Sequence, residues 1–373
     1  MRNVLVTGAN GFIGKNLVAR LNELSDFLVL PFGRGDDIST LKQSLSEVDC
    51  IIHLAGENRP SDPAAYSQVN VGMTRILCDA IRDYFAISGK RKTLILASSI
   101  QAEMNTPYGK SKAVAEQLCE ELSRDIDIRL FTYRLPGVFG KWCKPEYNSV
   151  VATFCNNVAN GLPIEVHDPD VALRLVYIDD VISAFINVIR GCEQGYILKK
   201  VEPEYTLTVG RLAECINAFD YLRENLVCDT VGSGFMRALY STYVSYLPTS
   251  KFSYSLPRHD DSRGVFVEML KTKDSGQFSF FTARPGVTRG GHYHHTKTEK
   301  FLVVAGEALF RFRHIITNET VEIRTCGDTP KVVDTIPGWA HEITNTGSTE
   351  LIVMLWANEV FDPVNPDTVP SEV

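Results

Sequence analysis

Residues 3–14 read Asn3-Val-Leu-Val-Thr-Gly-Ala-Asn-Gly-Phe-Ile-Gly14, and this stretch decides the fold of the first half of the chain. A short apolar strand over Asn3–Thr7 leads into three spaced glycines, and Gly14–Leu24 carries leucines at helical spacing. Such a turn lets the backbone approach a pyrophosphate, and the helix N-terminus offers it free N–H groups. We therefore predict a dinucleotide site, with a purely structural turn as the alternative; its residues are Gly8, Gly11, Phe12, Ile13 and Gly14.

Strand-like runs alternate with helix-length segments up to about residue 235. Further strands are predicted at Val29–Phe32, Cys50–Leu54, Thr93–Ala97 and Arg129–Tyr133, and further helices at Val69–Tyr84 and Ser111–Leu122. This alternation predicts an α/β Rossmann-like, doubly wound parallel sheet.

The pattern changes near Tyr240. An aromatic stretch with two prolines, Tyr243–Pro257, suits a packed linker. Short strands are predicted after it at Val265–Leu270, Gln277–Ala283, Lys300–Val304, Glu307–Arg313, Glu319–Arg324 and Glu350–Trp356. Short strands with regular breaks indicate an all-β sandwich or barrel. We predict a first domain at 1–245, a linker at 246–257 and a second domain at 258–373.

Composition excludes several classes of protein. The 373 residues hold 38 Lys plus Arg and 45 Asp plus Glu, for a net charge of −7. That balance, without a basic run, argues against nucleic-acid binding. No stretch approaches the roughly 18 apolar residues of a membrane span, and the N-terminal glycine turn does not resemble a signal peptide. Nine cysteines without regular spacing are typical of reduced thiols, so we expect a cytoplasmic protein.

The end of the second predicted strand bears on the choice of cofactor. An acid placed there selects NAD, because it binds the ribose hydroxyls. Here the strand ends at Phe32-Gly33-Arg34, and an arginine suits the 2′-phosphate of NADPH. Arg34 therefore favours NADPH, although the nearby Asp36 and Asp37 keep NAD open, and a solvated surface arginine is the alternative.

A candidate catalytic group follows the fourth predicted strand. Ser98 and Ser99 come directly after that strand, and Tyr108 and Lys112 are four residues apart, so they share one face of a helix. A lysine ammonium near a phenol lowers the phenol pKa, and a serine hydroxyl can hold a substrate oxygen. This set predicts a proton donor for a carbonyl undergoing reduction.

Residues 1 to about 240 resemble the extended short-chain dehydrogenase/reductase family, which acts on nucleotide sugars. The matching pieces are Thr7–Gly14, His53-Leu54-Ala55-Gly56, Asn70, Ser98-Ser99, Tyr108-x-x-x-Lys112, Arg134–Gly140 and Tyr177–Asp180. The resemblance implies a catalytic triad of Ser99, Tyr108 and Lys112. It also places Leu54, Ala55 and Asn70, with Tyr108 and Lys112, along the cofactor. Asn148 and Arg174 become candidates for the substrate nucleotide, with ordinary surface polarity as the alternative.

The second half holds a cluster of metal-type residues. His292 and His294 are two residues apart, so on a strand both rings point to one face. After a turn, the Glu299 side chain can lie on the same face. His341 follows later, after Pro337-Gly338. Three imidazoles and a carboxylate suit a divalent metal such as Zn²⁺, with Fe²⁺, Mn²⁺ and Ni²⁺ open. A set of polar barrel residues without metal is the alternative.

This spacing resembles the cupin family, so we expect the second domain to be an all-β cupin, a jelly-roll barrel. A finer resemblance, to nucleotide-sugar 3,5-epimerases, rests on Asp261–Glu268, Arg289–His292 and Trp339–His341. It implies that His292 is a catalytic base. His292 therefore has two candidate roles, metal ligand and catalytic base. Arg263 and Glu268 would contact substrate, with surface salt bridges as the alternative, and Arg289 or the metal would stabilise an enolate. Tyr293 and Lys297 are candidates for the second acid or base.

The two halves in this order resemble bifunctional enzymes of capsular polysaccharide synthesis that make the precursor of UDP-N-acetyl-L-fucosamine. The resemblance implies a UDP-linked 4-keto-6-deoxy amino sugar as substrate, C3 epimerisation followed by NADPH-dependent C4 reduction, a zinc-binding cupin and a homodimer. Two other functions stay open. One is a mono-functional reductase or 4-epimerase with a structural cupin, and the other is a non-enzymatic NADP sensor.

Overall fold

The computed structural model describes residues 1–256, 259–261, 264–266, 270–272, 276–359, 362 and 364–373. By packing, the chain divides into two compact units. Unit 1 comprises Met1–Ser149 and Leu173–Thr206, and unit 2 comprises Val150–Ala172 and Leu207–Val373.

The helices lie mostly in the first two thirds of the chain. They are α1 Phe12–Asn22, α2 Ile38–Ser44, α3 Met73–Ser88, α4 Pro107–Ile126, α5 Val150–Ala159, α6 Ile178–Arg190, α7 Val209–Asn225 and α8 Gly234–Val244. A π-helical segment, Tyr66–Gly72, precedes α3, and short 3₁₀ turns occur at Ile100–Glu103 and Thr249–Lys251. No helix in the described part of the chain is both long and apolar enough to cross a membrane.

The strands fall into two series. The first is β1 Arg2–Thr7, β2 Phe27–Phe32, β3 Cys50–His53, β4 Thr93–Ser99, β5 Arg129–Leu135, β6 Gly137–Phe139, β7 Ala172–Tyr177, β8 Tyr196–Lys199 and β9 Glu204–Thr208. The second is β10 Val227–Cys228, β11 Ser253–Ser255, β12 His259–Asp261, β13 Gly264–Phe266, β14 Lys271–Thr272, β15 Gln277–Ala283, β16 Thr288–Tyr293, β17 Glu299–Ala305, β18 Glu307–His314, β19 Thr320–Cys326, β20 Lys331–Asp334, β21 Trp339–Asn345, β22 Leu351–Ala357 and β23 Val369–Pro370.

Unit 1 is built on a six-stranded parallel sheet in the order β2-β1-β3-β4-β5-β8. Leu5, Ile51 and Leu94 belong to a buried cluster with residues of α2, α3 and α4. Their neighbours on the opposite face, such as Ile52 and Ile95, are equally buried, so helices cover both faces. This confirms the predicted α/β Rossmann-like fold.

The strand order determines where unit 1 binds ligands. The chain places β2 on one side of β1 and β3 on the other, so the connections leave in opposite directions at this point. In open parallel sheets, ligands bind beyond the carboxyl ends of the strands at such a switch point. The glycine turn after β1 and the His53–Gly56 turn after β3 both lie there.

Unit 2 contains two five-stranded antiparallel sheets. Their orders are β11-β20-β17-β22-β15 and β19-β18-β21-β16-β23. The interior is aromatic: Phe301 contacts Phe310, and Phe252 packs against Phe312 and Trp339. This architecture confirms the predicted all-β, cupin-like second half.

Buried ion pairs connect helix α7 to these strands. Arg223 of α7 pairs with Asp334 of β20, and Lys300 of β17 donates to the same carboxylate at 2.6 Å. Packing thus assigns α5, α7 and α8 to unit 2, whereas the predicted domains follow the sequence pattern. The boundaries at 245 and 258 stay a prediction.

Several strands were not predicted. β16 contains Gly290 and Gly291, both at positive φ, and β20 is only four residues long, so neither shows a clear alternation. The predicted linker also contributes to the fold, since its residues Ser253–Ser255 pair with β20. The predicted strand Val265–Leu270 is described only in part, as β13 and Leu270.

Candidate active sites

The cofactor cavity of unit 1 lies at the switch point of the sheet. A space of about 570 Å³ is lined by Gly8, Gly11, Arg34, Leu54 and Ala55, among others. The close backbone contact requires glycine. Gly8 has φ +69°, and a Cβ there would lie 2.7 Å from Ala55 N. Gly14 is equally constrained, because its Cβ would lie 2.2 Å from Gly8 O.

The start of α1 faces this cavity with its backbone. Gly11 is the N-cap residue and makes no side-chain capping bond, and among the described residues no acid lies in the first turn. The N–H groups of that turn therefore suit a pyrophosphate. The other predicted cofactor residues, which are Phe12, Ile13, Gly14, Asn70, Tyr108 and Lys112, do not line this cavity.

Charged groups lie where the ribose end of a dinucleotide is predicted to bind. Asp36 accepts from Gly33 N at 2.7 Å, and Asp37 caps α2 by accepting from Ser39 N at 2.8 Å. Both carboxylates are thus bound to backbone. Arg34 has an 85% exposed side chain that pairs with Glu57 at 2.6 Å, and Glu57 also accepts from Tyr147 at 2.6 Å. Glu57 and Tyr147 were not predicted, and nothing local in the sequence indicates this pairing.

The predicted triad converges at the junction of β4 and α4. Thr106 caps α4 and starts the turn that places Tyr108 and Lys112 on one face. Lys112 is buried, donates to Ala97 O at 3.1 Å, and its Nζ lies 6.0 Å from the Tyr108 ring centroid. Burial lowers the pKa of Lys112 to about 8, although the Glu116 carboxylate opposes that shift.

The pKa of Tyr108, the predicted proton donor, differs from the expectation. Burial raises the pKa of Tyr108, and the hydrogen bond with Ser99 only partly offsets this effect. The predicted lowering of the Tyr108 pKa is therefore wrong for this structure, because burial outweighs the contact that lowers it. The phenol stays protonated at neutral pH and remains able to donate. Tyr66 contacts its ring at a centroid distance of 5.8 Å.

The structure separates the roles of the two serines at the end of β4. Ser98 donates to Glu116 at 2.5 Å, and Glu116 is held in a bidentate pair by Arg134. Ser99, by contrast, bonds to Tyr108. The choice of Ser99 as the substrate-binding serine stays a prediction, and this geometry supports it.

Asn70, Asn148 and Arg174 are not among the residues that line the cofactor cavity. The Asn70 amide bonds to both backbone groups of Glu57 and to Ser111, so it fixes the turn after β3. Asn148 is exposed, and Arg174 forms a bidentate pair with Glu204. Their proposed ligand contacts stay predictions.

The histidine cluster of unit 2 does converge. His292, His294, Glu299 and His341 each offer one ligand atom, and these atoms lie within 4.8 Å of one another. Glu299 Oε2 is 3.1 Å from His294 Nε2 and 3.6 Å from His341 Nε2. Antiparallel pairing of β16 and β21 sets His292 opposite His341.

The electrostatics of the cluster keep the His292 and His341 imidazoles neutral and the Glu299 carboxylate charged. Burial and the neighbouring imidazoles lower the pKa of His292 to about 4. Burial also lowers the pKa of His341. Burial raises the pKa of Glu299, but the neighbouring His294 and His341 imidazoles outweigh this effect and hold that pKa well below its usual range. Neutral imidazoles and a carboxylate are the protonation states that ligate a cation.

The buried ring nitrogens of His341 bear on whether a cation suits this cluster. Both ring nitrogens of His341 are buried and have no hydrogen-bond partner among the described residues. Burial of an unsatisfied polar group costs free energy. A cation among the four ligand atoms would satisfy Nε2, so the donor set fits a divalent metal.

The remaining predicted residues of unit 2 lie in different surroundings. Lys297 is buried and pairs with Glu299 Oε1 at 3.1 Å, whereas Tyr293 packs against His295 on the opposite face. Arg289 lies over the Phe281 ring and donates to Thr282 O. Arg263 and Glu268 lie outside the described residues.

The fold and the two sites define a class of protein: a Rossmann-like unit that brings Ser99, Tyr108 and Lys112 together, joined to an antiparallel β unit with a His/Glu cluster. Comparison with known proteins agrees with this class. Residues 4–198 match the NAD dependent epimerase/dehydratase family, and residues 259–369 match the polysaccharide biosynthesis C-terminal domain. The chain belongs to the NAD dependent epimerase/dehydratase family and carries this second domain.

Similar proteins cover the whole chain. A UDP-2-acetamido-2,6-beta-L-arabino-hexul-4-ose reductase of Pseudomonas aeruginosa is 51% identical, over 99% of this chain and 98% of the relative. The crystal structure of the capsular polysaccharide assembling protein CapF from Staphylococcus aureus is 40% identical and covers 100% of both chains, with a TM-score of 0.67. A UDP-glucuronic acid 4-epimerase of Bacillus cereus, at 19% identity and a TM-score of 0.52 over 58% of this chain, shares the fold alone.

Proposed function

We propose that this chain is a bifunctional nucleotide-sugar enzyme of capsular polysaccharide synthesis. Unit 2 epimerises C3 of a UDP-2-acetamido-2,6-dideoxy-4-hexulose, and unit 1 then reduces C4 with NADPH to give UDP-2-acetamido-2,6-dideoxy-L-talose. The observation that carries the proposal is the presence in one chain of the Ser99–Tyr108–Lys112 set and the buried histidine cluster. The similarity to the Pseudomonas relative, a UDP-2-acetamido-2,6-beta-L-arabino-hexul-4-ose reductase, supports the reduction step.

The reduction uses groups on β4 and α4. NADPH supplies a hydride to C4. Ser99 holds the carbonyl oxygen, and Tyr108 donates its phenolic proton to that oxygen as the hydride arrives. The Lys112 ammonium, whose Nζ lies 6.0 Å from the Tyr108 ring centroid, would offset part of the negative charge on the phenolate that remains. Arg34 would bind the 2′-phosphate, while Asp36 and Asp37 each accept from a backbone N–H group.

The epimerisation requires a base and a group that stabilises an enolate. His292 is neutral at physiological pH because its pKa lies at about 4, so it can accept the C3 proton. Lys297 is buried at the cluster and is the better placed candidate for the second acid or base, since Tyr293 faces away. Arg289 is the candidate protein group for the enolate oxygen.

The metal proposal concerns the same cluster. His294, Glu299 and His341 would hold a divalent cation, probed first as Zn²⁺, together with His292 when that residue does not act as the base. A bound cation would supply Lewis acidity beside the ketone. The homodimer and the cytoplasmic location rest on the resemblance and the composition.

The chemistry orders the two steps. The C3 proton is acidic only while C4 is a ketone, because the enolate then spreads the negative charge onto oxygen. Reduction removes that activation. Epimerisation therefore precedes reduction.

The test uses the UDP-linked 4-ketosugar in D₂O, with and without NADPH. We expect deuterium at C3 without NADPH, and the reduced L-talo product by NMR only with NADPH. Tyr108→Phe should keep the exchange and lose the reduction, whereas His292→Ala should lose the exchange. Reduction without any C3 exchange in the folded wild type would indicate a mono-functional reductase with a structural second unit. No NADPH oxidation with the authentic substrate would indicate a sensor.

A further inference from the structure

The last residues of the chain form part of the second sheet. Val369 and Pro370 pair with Tyr293 and His292 of β16, and Ser371 N donates to Gly291 O at 2.9 Å. Arg313 of β18 holds the same segment by donating to Ser371 Oγ at 3.0 Å and to Glu372 O at 2.6 Å. Residues 364–373, here called the strap, therefore lie directly beside β16, the strand that carries His292 of the cluster.

Asp367 of the strap fixes the turn between β16 and β17. Its carboxylate accepts from three consecutive backbone N–H groups, those of His295 at 2.8 Å, Thr296 at 2.6 Å and Lys297 at 2.7 Å. It also accepts from the Thr296 hydroxyl at 2.9 Å. Hydrogen bonds to an ionised acceptor are shorter and stronger than neutral ones. One carboxylate thus holds the turn that joins His294 to Glu299.

The backbone carbonyl of Asp367 bonds directly to a histidine of the cluster. Its carbonyl oxygen accepts from His294 Nδ1, and the other ring nitrogen, Nε2, then faces Glu299 Oε2 at 3.1 Å. A carbonyl acceptor at Nδ1 selects the tautomer with the proton on that atom. The lone pair of Nε2 is thereby directed into the cluster.

We propose that the strap is a positioning element of the histidine cluster and that Asp367 is its positioning residue. The carboxylate sets the path of the turn from His294 to Glu299, and the carbonyl sets the orientation and tautomer of His294. A ligating histidine is tuned by the acceptor on its other nitrogen, and loss of such a partner weakens metal binding. The consequence for metal affinity rests on the proposed function, whereas the effect on the turn and on the imidazole does not.

The test compares the full chain with Asp367→Ala, which removes the carboxylate, and with Asp367→Asn, which keeps one oxygen acceptor. Asp362→Asn is the matched control, because Asp362 is an exposed acid of the same region that bonds to Val364 N. Three quantities are measured: Zn²⁺ affinity by competition with a chromogenic chelator, amide hydrogen exchange at residues 295–297, and the His294 tautomer by ¹⁵N NMR.

We expect Asp367→Ala to weaken Zn²⁺ binding by about 10- to 100-fold, to speed exchange at residues 295–297 at least about tenfold, and to change the His294 tautomer population. Asp367→Asn should fall between Asp367→Ala and the wild type, and Asp362→Asn should match the wild type. If Asp367→Ala does not fold, the same comparison is made with Asp367→Asn.

The outcomes separate this proposal from the proposed function. Exchange and tautomer unchanged in both Asp367 variants would overturn the positioning role, whatever the metal result. If the wild type binds no Zn²⁺ but Asp367→Ala still loosens the turn and the imidazole, the metal assignment fails and the positioning role stands.

Discussion

At the scale of single residues, Arg34 has two competing partners. In this structure it pairs with Glu57, and in the proposed complex it binds the 2′-phosphate of NADPH. We expect Arg34→Ser to weaken NADPH binding by roughly 10- to 100-fold, because a hydrogen bond to a charged group contributes about 1.5–3 kcal/mol. NADH binding should change little. Fluorescence titration with both nucleotides measures this, and Lys42→Ser, at an exposed position of α2, is the control.

The two serines at the end of β4 give a second test at this scale. Ser99 bonds to Tyr108, whereas Ser98 bonds to Glu116, which Arg134 holds independently. Ser99→Ala should lower kcat for ketosugar reduction by about 10²-fold or more, since positioned groups in proton transfer contribute on that order. Ser98→Ala should lower it far less. Equal losses in steady-state NADPH oxidation would remove the distinction between the two hydroxyls.

At the scale of elements, His53 joins β1, β3 and α3. Its ring bonds to Thr7 Oγ1 at 2.7 Å and to Thr74 Oγ1 at 3.0 Å, and Thr74 donates to Asn70 O at 2.6 Å. Burial, followed by the Lys112 charge, lowers the pKa of His53 to about 3. This buried imidazole therefore connects the strand ends that form the cofactor cavity while remaining neutral.

The titration of His53 predicts a pH dependence of stability. The unfolded imidazole binds a proton below about pH 6.5, and the folded one only near pH 3. The contribution of His53 is thus fully present above pH 6.5 and is lost as the pH falls toward 3, by at most about 1.4 kcal/mol per pH unit. We expect His53→Gln to flatten the fall in unfolding free energy between pH 6.5 and 4.5, measured by urea titration. His167→Gln, at an exposed histidine, should follow the wild type.

At the scale of the whole molecule, each proposed step belongs to a different compact unit. Tyr108 and its partners lie in unit 1, and the histidine cluster lies in unit 2. An equimolar mixture of His292→Ala and Tyr108→Phe should therefore make the reduced L-talo sugar from the starting ketosugar, although neither variant alone does. Product NMR after incubation with NADPH measures this. Failure of the mixture, with both single activities intact, would show that the two steps require one chain.

The sequence alone determined the fold class, because periodicity and glycine spacing are local properties. The turn from Thr7 to Gly14 and the alternation around it indicated the parallel sheet, and the Tyr108–Lys112 and His292–His294 spacings indicated which residues share a face. These depend only on the geometry of helices and strands. The tertiary structure alone decided what faces these residues. It paired Arg34 with Glu57, raised the pKa of Tyr108 by burial, and set Asp367 against residues 294–297, 70 to 73 positions earlier. Burial and contacts between distant segments arise from packing, which no local pattern encodes.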